Sequence, residues 1–253
     1  MKEAVMAAEA FRIKILAGGK ELNLWSSLLE NVLKLPGAKV DRLGFLEKEF
    51  SKHCNLETMR QIKELGTGKA KVEEAVMDKV SAKVITDQTV SATTLSFVSG
   101  LPGGLAMLGT IPVDLAQYYY NLVVTAQKLA YIYGWPDLEG EEPDGLLSML
   151  TVFIGIMTGT ITANRELTSL SKELEGELVK RLSCVTLAKV GILLLAKHTA
   201  GILGAKLFWQ GYTGLAAKTV PLIGGFVSGG ITLMTFLPMA NTCKNQLRKI
   251  IIH

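Results

Sequence analysis

Histidine and cysteine are both scarce in this chain, with three of each among 253 residues. Cys54, Cys184 and Cys243 lie far apart, with no histidine at metal-ligand spacing, and their number is odd. That excludes a disulfide framework and a zinc site as readings, and leaves reduced, mostly buried thiols acting as small hydrophobes. His53 falls in a charged helical stretch, His198 follows Leu193 to Leu195 and Ala196, and His253 is terminal, so no histidine stands beside a carboxylate. A nucleophile elbow is missing as well, so the sequence offers no catalytic residue, no cofactor motif and no metal cluster.

Charge is the next absence. Between Asp87 and Lys128 lie forty residues with one ionisable charge, Asp114. A carboxylate in apolar surroundings costs several kcal/mol unless it is paired or hydrogen-bonded, so local structure or function has to support it. From residue 184 onward acidic residues are missing altogether. The net charge runs +2 over residues 1–87, 0 over 88–135, −5 over 136–183 and +7 over 184–253. Apolar residues make up 49% of the chain, charged residues only 20%, and mean hydropathy is +0.31. A basic, apolar, glycine-rich C-terminal part suits an anionic membrane surface. The lysines from Lys189 to Lys218 lie eight to twelve apart, sparser than a nucleic-acid binder presents them, so no nucleic acid is expected. The competing reading is that these lysines snorkel to solvent from buried helices. Glu3 and Glu9 interrupt what would be the apolar stretch of a signal peptide, which points to a cytoplasmic protein.

What is present is helical periodicity. The expected fold class is all-α: a helical bundle with glycine-rich, closely packed apolar helices. Residues 1–87 form an N-terminal amphipathic region and 88–253 an apolar core with a basic C-terminal part. In the first part, apolar residues recur at Leu24, Leu28, Leu29, Val32 and Leu33, and again at Val72, Val76 and Val80, with breaks at Pro36-Gly37 and at GTGK, residues 66–69. That GTGK lacks the upstream glycine and following hydroxyl of a phosphate-binding loop, so it reads as a turn.

The segment around Asp114 carries the sharpest signals. Thr110 suits a helix N-cap, Pro112 the first turn, and Asp114 the positive end of the helix dipole. Gly134 and Pro136 end that helix. Within it Asp114, Gln117, Asn121, Thr125 and Lys128 recur at steps of three and four as one polar stripe, expected to be solvated or hydrogen-bonded between helices. Tyr118-Tyr119-Tyr120 spreads phenols around the helix, so some rings must pack while their hydroxyls find partners. Asp114, Gln117, Tyr118 and Asn121 are the candidate ligand-binding residues. The acidic DLEGEEPDG that follows from Asp137 lacks the residue alternation of a calcium loop; Asp144 suits a helix cap.

Two uncharged windows, 145–164 and 219–243, approach the about 20 apolar residues a membrane span needs. Threonines crowd the first, and Pro221 and Pro238 bracket the second, so buried or partly inserted helices are favoured over integral spans. FVSG occurs at Phe97 and again at Phe226, each copy followed at similar distance by proline, which suggests two related hairpins with Asp114 matched by Ala240.

The run GLPGGLAMLGTIPVDLAQYYYNLVVTAQKLAYIYGWPDL, with the later KTVPLIGGFVSGGITLMTFLPMAN, resembles the EcsC family of bacterial proteins. Both motifs lie within residues 100–241, and residues 1–87 carry no part of the resemblance. The family's namesake is encoded beside the ATPase and membrane subunits of an ABC-type exporter, and its biochemical function is unassigned. The resemblance implies a helical accessory protein at the cytoplasmic face of the membrane, partnered by anionic lipid or by a membrane protein such as an ABC-type transporter. A lipid-like small-ligand binder or enzyme organised by Asp114 is the alternative.

Overall fold

The computed structural model describes residues 20–99, 113–137, 143–159, 163–165, 167–168, 171 and 221–252. Thr110 and Pro112, Cys184, His198 and most of the acidic segment after Asp137 lie outside these residues. Among the described residues the architecture is all-α. The helices are α1 (Lys20–Leu33), α2 (Arg42–Phe50), α3 (Leu56–Leu65), α4 (Glu74–Ser99), α5 (Val113–Ile132), α6 (Pro143–Met157) and α7 (Pro221–Arg248).

Local chemistry sets most of these boundaries. Pro36-Gly37 separates α1 from α2, with Gly37 at φ +76°. Asp41 caps α2 by accepting from Gly44 N–H at 3.1 Å, and Asn55 caps α3 by accepting from Thr58 N–H at 2.8 Å. Gly66, at φ +88°, ends α3 and opens the GTGK turn. His53 sits in the exposed turn after α2, not in a helix, because α2 stops at Phe50. Gly134, at φ +87°, closes α5. Trp135 N–H reaches back to the Ala130 carbonyl at 3.1 Å and Gly134 N–H to Tyr131 at 3.3 Å, the paired bonds of a Schellman motif. Pro143 is the first residue of α6, so Asp144 lies inside the first turn instead of capping it; proline is favoured where an N–H has no helical partner.

α4 continues unbroken through residues 87 and 88, where charged sequence gives way to uncharged sequence. It packs most extensively against α7, then against α5. The central helix α5 also touches α1, α2 and α6. Trp25, Leu29 and Val32 of α1, Met77, Val80 and Val84 of α4, most of α5 from Tyr118, the length of α6 from Met149, and Phe236, Ala240, Cys243 and Leu247 of α7 form one continuous core.

Two expectations are corrected here. Pro238 does not close the window that Pro221 opens, because the 28-residue helix α7 continues through it. Pro238 is exposed, and the carbonyl it deprives of a partner belongs to Met234, itself 78% exposed, so water can compensate. The FVSG echo does not produce matched hairpins either: Phe97 lies at the end of α4, whereas Phe226 and Pro238 both lie within α7. Among the described residues no helix is long and apolar enough to cross a membrane. α6, the helix of the 145–164 window, covers roughly 22 Å and its described side chains from Met149 to Met157 are buried. It is a core helix.

Candidate functional site on the central helix

The polar stripe of α5 begins at Asp114, the second residue of the helix, and the described side chains start at Gln117. Gln117 is half-buried, and its carbonyl accepts from Asn121 Nδ2 at 2.9 Å. Asn121 and Thr125 are buried, one turn apart on the same helix face. Among the described residues Asn121 Oδ1 and Thr125 Oγ1 have no hydrogen-bond partner. Thr86, Thr151, Thr158, Thr168 and Thr242 each donate to a carbonyl of the preceding turn, but Thr125 does not. Along this section the stripe is therefore buried and not solvated, and these two oxygens bond to no other helix among the described residues. Thr89 and Thr93 on α4 repeat the pattern, with buried, unpartnered hydroxyl oxygens one turn apart.

Tyr118 turns away from the stripe toward α7. Its hydroxyl donates to Met239 Sδ at 3.4 Å, and its ring meets Phe236 edge-on at 6.2 Å and Tyr119 at 6.3 Å. Burial pushes its phenol up to about 12, partly offset by a hydrogen bond with Thr235. Tyr119 is raised further by burial, and it stacks edge-on against Trp25 at 5.7 Å. At the far end of the stripe Lys128 lies over the Phe45 ring, 5.9 Å from its centroid. Burial first, then the neighbouring Lys48, lower the pKa of its ammonium, while Glu49 and Asp87 oppose the shift. Of the four candidate ligand-binding residues, Gln117 and Asn121 are joined along the helix and Tyr118 points to a different neighbour. The side chain of Asp114 lies outside the described residues.

Three features escaped the sequence reading. Gln127 is fully buried, donates to the Ala38 carbonyl at 2.7 Å and the Val123 carbonyl at 3.1 Å, and accepts from Val40 N–H at 3.2 Å, tying the segment before α2 to α5. Its signal was an amide in an otherwise apolar run. Asp78 of α4 gathers Arg248 at 3.0 Å, Lys244 at 3.5 Å and the Tyr133 hydroxyl at 3.1 Å, while Arg248 also meets Glu74 at 3.3 Å. So Lys244 and Arg248, part of the basic C-terminal excess, are engaged within the protein. Third, Thr67 of the GTGK turn is buried and donates to the Ile132 carbonyl at 2.9 Å, while Ile252 N–H donates to the Tyr133 carbonyl at 3.2 Å. The turn, the end of α5 and the chain's last residues form one clasp.

Among the described side chains of this region, burial shifts the phenols of Tyr118 and Tyr119 up, and the orphan oxygens of Asn121 and Thr125 are neutral. Cys243 is buried, with its thiol pushed up to about 12, and Cys54 is half-buried; both are free. Among the described residues no three His, Cys, Asp or Glu side chains come together as a metal site. No protein-family model, curated protein or solved structure matches the chain.

Proposed function

We propose that this protein is a membrane-associated helical module of the EcsC type, a non-enzymatic accessory or interaction protein at the cytoplasmic face of the membrane. Its partner on this reading is anionic lipid or a membrane protein, with an ABC-type transporter as the candidate the resemblance supplies. The supporting observation is the C-terminal seventy residues, seven basic and none acidic, which include the acid-free helix α7 with Leu233, Met234 and Leu237 exposed. A basic sequence that also carries exposed apolar side chains favours an anionic, partly apolar surface. Flotation with vesicles of phosphatidylcholine alone and with added phosphatidylglycerol tests it. At low salt the protein should rise with the anionic vesicles and stay behind with the neutral ones. Equal recovery in solution from both would overturn the reading.

A second reading, a binder of a lipid-like small molecule beside α5 near Asp114, is favoured by the unpartnered Asn121 Oδ1 and Thr125 Oγ1. Buried polar atoms without partners are uncommon in proteins and call for an explanation. Extraction of the purified protein with organic solvent and mass spectrometry of the extract tests it. A lipid recovered from the native chain and lost from Asn121→Leu supports it, and an extract free of lipid counts against it.

A further inference from the structure

Among the lysines whose side chains the structure describes, two are half-buried, Lys128 on α5 and Lys244 on α7, and the rest are exposed. Their settings differ. Lys244 is paired with Asp78 at 3.5 Å. Lys128 forms no ion pair among the described residues, although two carboxylates, Glu49 of α2 and Asp87 of α4, act on it from nearby. Both are already taken. Lys83 of α4 holds Glu49 at 3.0 Å and Asp87, one turn along its own helix, at 2.9 Å. What Lys128 meets instead is the ring of Phe45, with its ammonium nitrogen 5.9 Å from the centroid, and two further positive charges, Lys48 of α2 and Lys83.

An ammonium in that setting gives up hydration and gains only a ring face. Burial and then Lys48 favour its neutral form, Lys83 adds to them, and Glu49 and Asp87 oppose without bonding to it. A neutral lysine amine is a nucleophile, and desolvation beside other cations is one of the ways a lysine is activated. We propose that Lys128 is a site of covalent acylation by acyl thioesters, its amine left unpaired and nucleophilic because Lys83 clamps the two carboxylates beside it. In this step the amine nitrogen attacks the thioester carbonyl carbon, the C–N bond forms and the C–S bond breaks. The thiolate leaves with the electron pair and takes up the proton that the nitrogen releases, so the products are an amide and a free thiol. Neither an oxidant nor a reductant is needed. Thioesters are favoured over aldehydes as the electrophile because Lys128 is partly open to water, where an imine hydrolyses back and an amide persists. The amide also removes a charge that the surroundings disfavour and leaves the acyl group beside Phe45.

The experiment treats the full chain at about pH 7.5 with a small acetyl thioester, S-acetyl-N-acetylcysteamine, and reads acetylation at each lysine by peptide mass spectrometry at low conversion. Lys128 should react about tenfold faster than Lys52 and Lys79, which are exposed. Its rate should also level off at a lower pH than theirs. Lys83→Met frees Glu49 and Asp87 to pair with Lys128 and removes a positive neighbour, so acetylation of Lys128 should fall at least about threefold while Lys52 and Lys79 are unchanged. Lys83 is half exposed, and the helix content of this variant by circular dichroism should be native. Acetylation of Lys128 no faster than that of Lys52 and Lys79 in the native chain overturns the proposal. So does a folded Lys83→Met chain in which Lys128 reacts as fast as before.

Discussion

The backbone of Gly68 lies against the main-chain carbonyl of Ile252 so closely that a Cβ at residue 68 would overlap it. Gly134 approaches the same carbonyl from the end of α5, where a Cβ would come within 2.6 Å. Two glycines 66 residues apart therefore make room for one peptide group near the end of the chain.

Gly68→Ala should destabilise the fold by about 1–3 kcal/mol, since the clash is with backbone and not with the tip of a flexible side chain. Gly134→Ala adds a left-handed residue at φ +87° to the same clash and should cost more. Urea unfolding measures both. Removing Ile251 to His253 should make Gly68→Ala nearly harmless while Gly134→Ala stays costly. Equal penalties in the truncated chain would show that the carbonyl contact is not the cause.

Gln127→Leu should cost about 2–4 kcal/mol, because it strands the Val40 N–H and the Ala38 carbonyl in the interior. The exchange protection of the Val40 amide reports the loss directly. A stability within about 0.5 kcal/mol of the native value would mean that water replaces the amide at no penalty.

These two relationships mark where sequence reading succeeded and where it stopped. Breaks at Pro36-Gly37, at the GTGK turn and at Gly134 were legible because each depends on local chemistry: a glycine at positive φ, a missing N–H, a cap. The spacing of Gln117, Asn121, Thr125 and Lys128 was legible too, as a property of one helix. Whether that stripe meets water depends on the helices laid over it, and periodicity cannot say so. Pro238 illustrates the same limit in reverse. It reads as a terminator locally, yet packing on α4 carries α7 through it. Pairs such as Arg248 with Glu74, 174 residues apart, leave no local trace.

Thr125→Val and Thr151→Val make a matched pair. Thr151 accepts from Trp25 Nε1 at 2.8 Å and donates to the Leu147 carbonyl at 2.7 Å, whereas Thr125 Oγ1 has no partner among the described residues. Thr151→Val should lose about 1–2 kcal/mol, while Thr125→Val should be neutral or stabilising by up to about 1 kcal/mol. Denaturant midpoints decide it. A Thr125→Val penalty as large as that at Thr151 would show that the Thr125 hydroxyl is bonded in solution.

Asp78→Ala removes the acceptor shared by Arg248, Lys244 and Tyr133, and should cost about 1–3 kcal/mol because the carboxylate is three-quarters buried. The effect should exceed that of Glu74→Ala, whose side chain is 63% exposed and which meets Arg248 alone. Chemical denaturation of the two variants side by side checks the order, and equal losses would mean the node contributes no more than a surface pair.

The buried phenols and thiol give the fold a defined alkaline limit. Burial raises Tyr118 from 10.0 to about 12 and Cys243 from 9.0 to about 12, and moves Tyr119 and Tyr133 upward as well. An acid whose pKa is raised on folding keeps its proton in the native state while the unfolded chain loses it. Stability is then fully present below the unfolded value and is lost as pH rises toward the folded one. The decline should begin near pH 9 with Cys243, steepen above pH 10 with the tyrosines, and for Tyr118 alone amount to about 2–3 kcal/mol by pH 12. Urea midpoints from pH 7 to 11 trace the limb. Cys243→Ala should delay its onset, and Tyr118→Phe, which keeps the ring against Phe236, should flatten it. Stability that stays level up to pH 11 would mean that water reaches these groups in the folded protein.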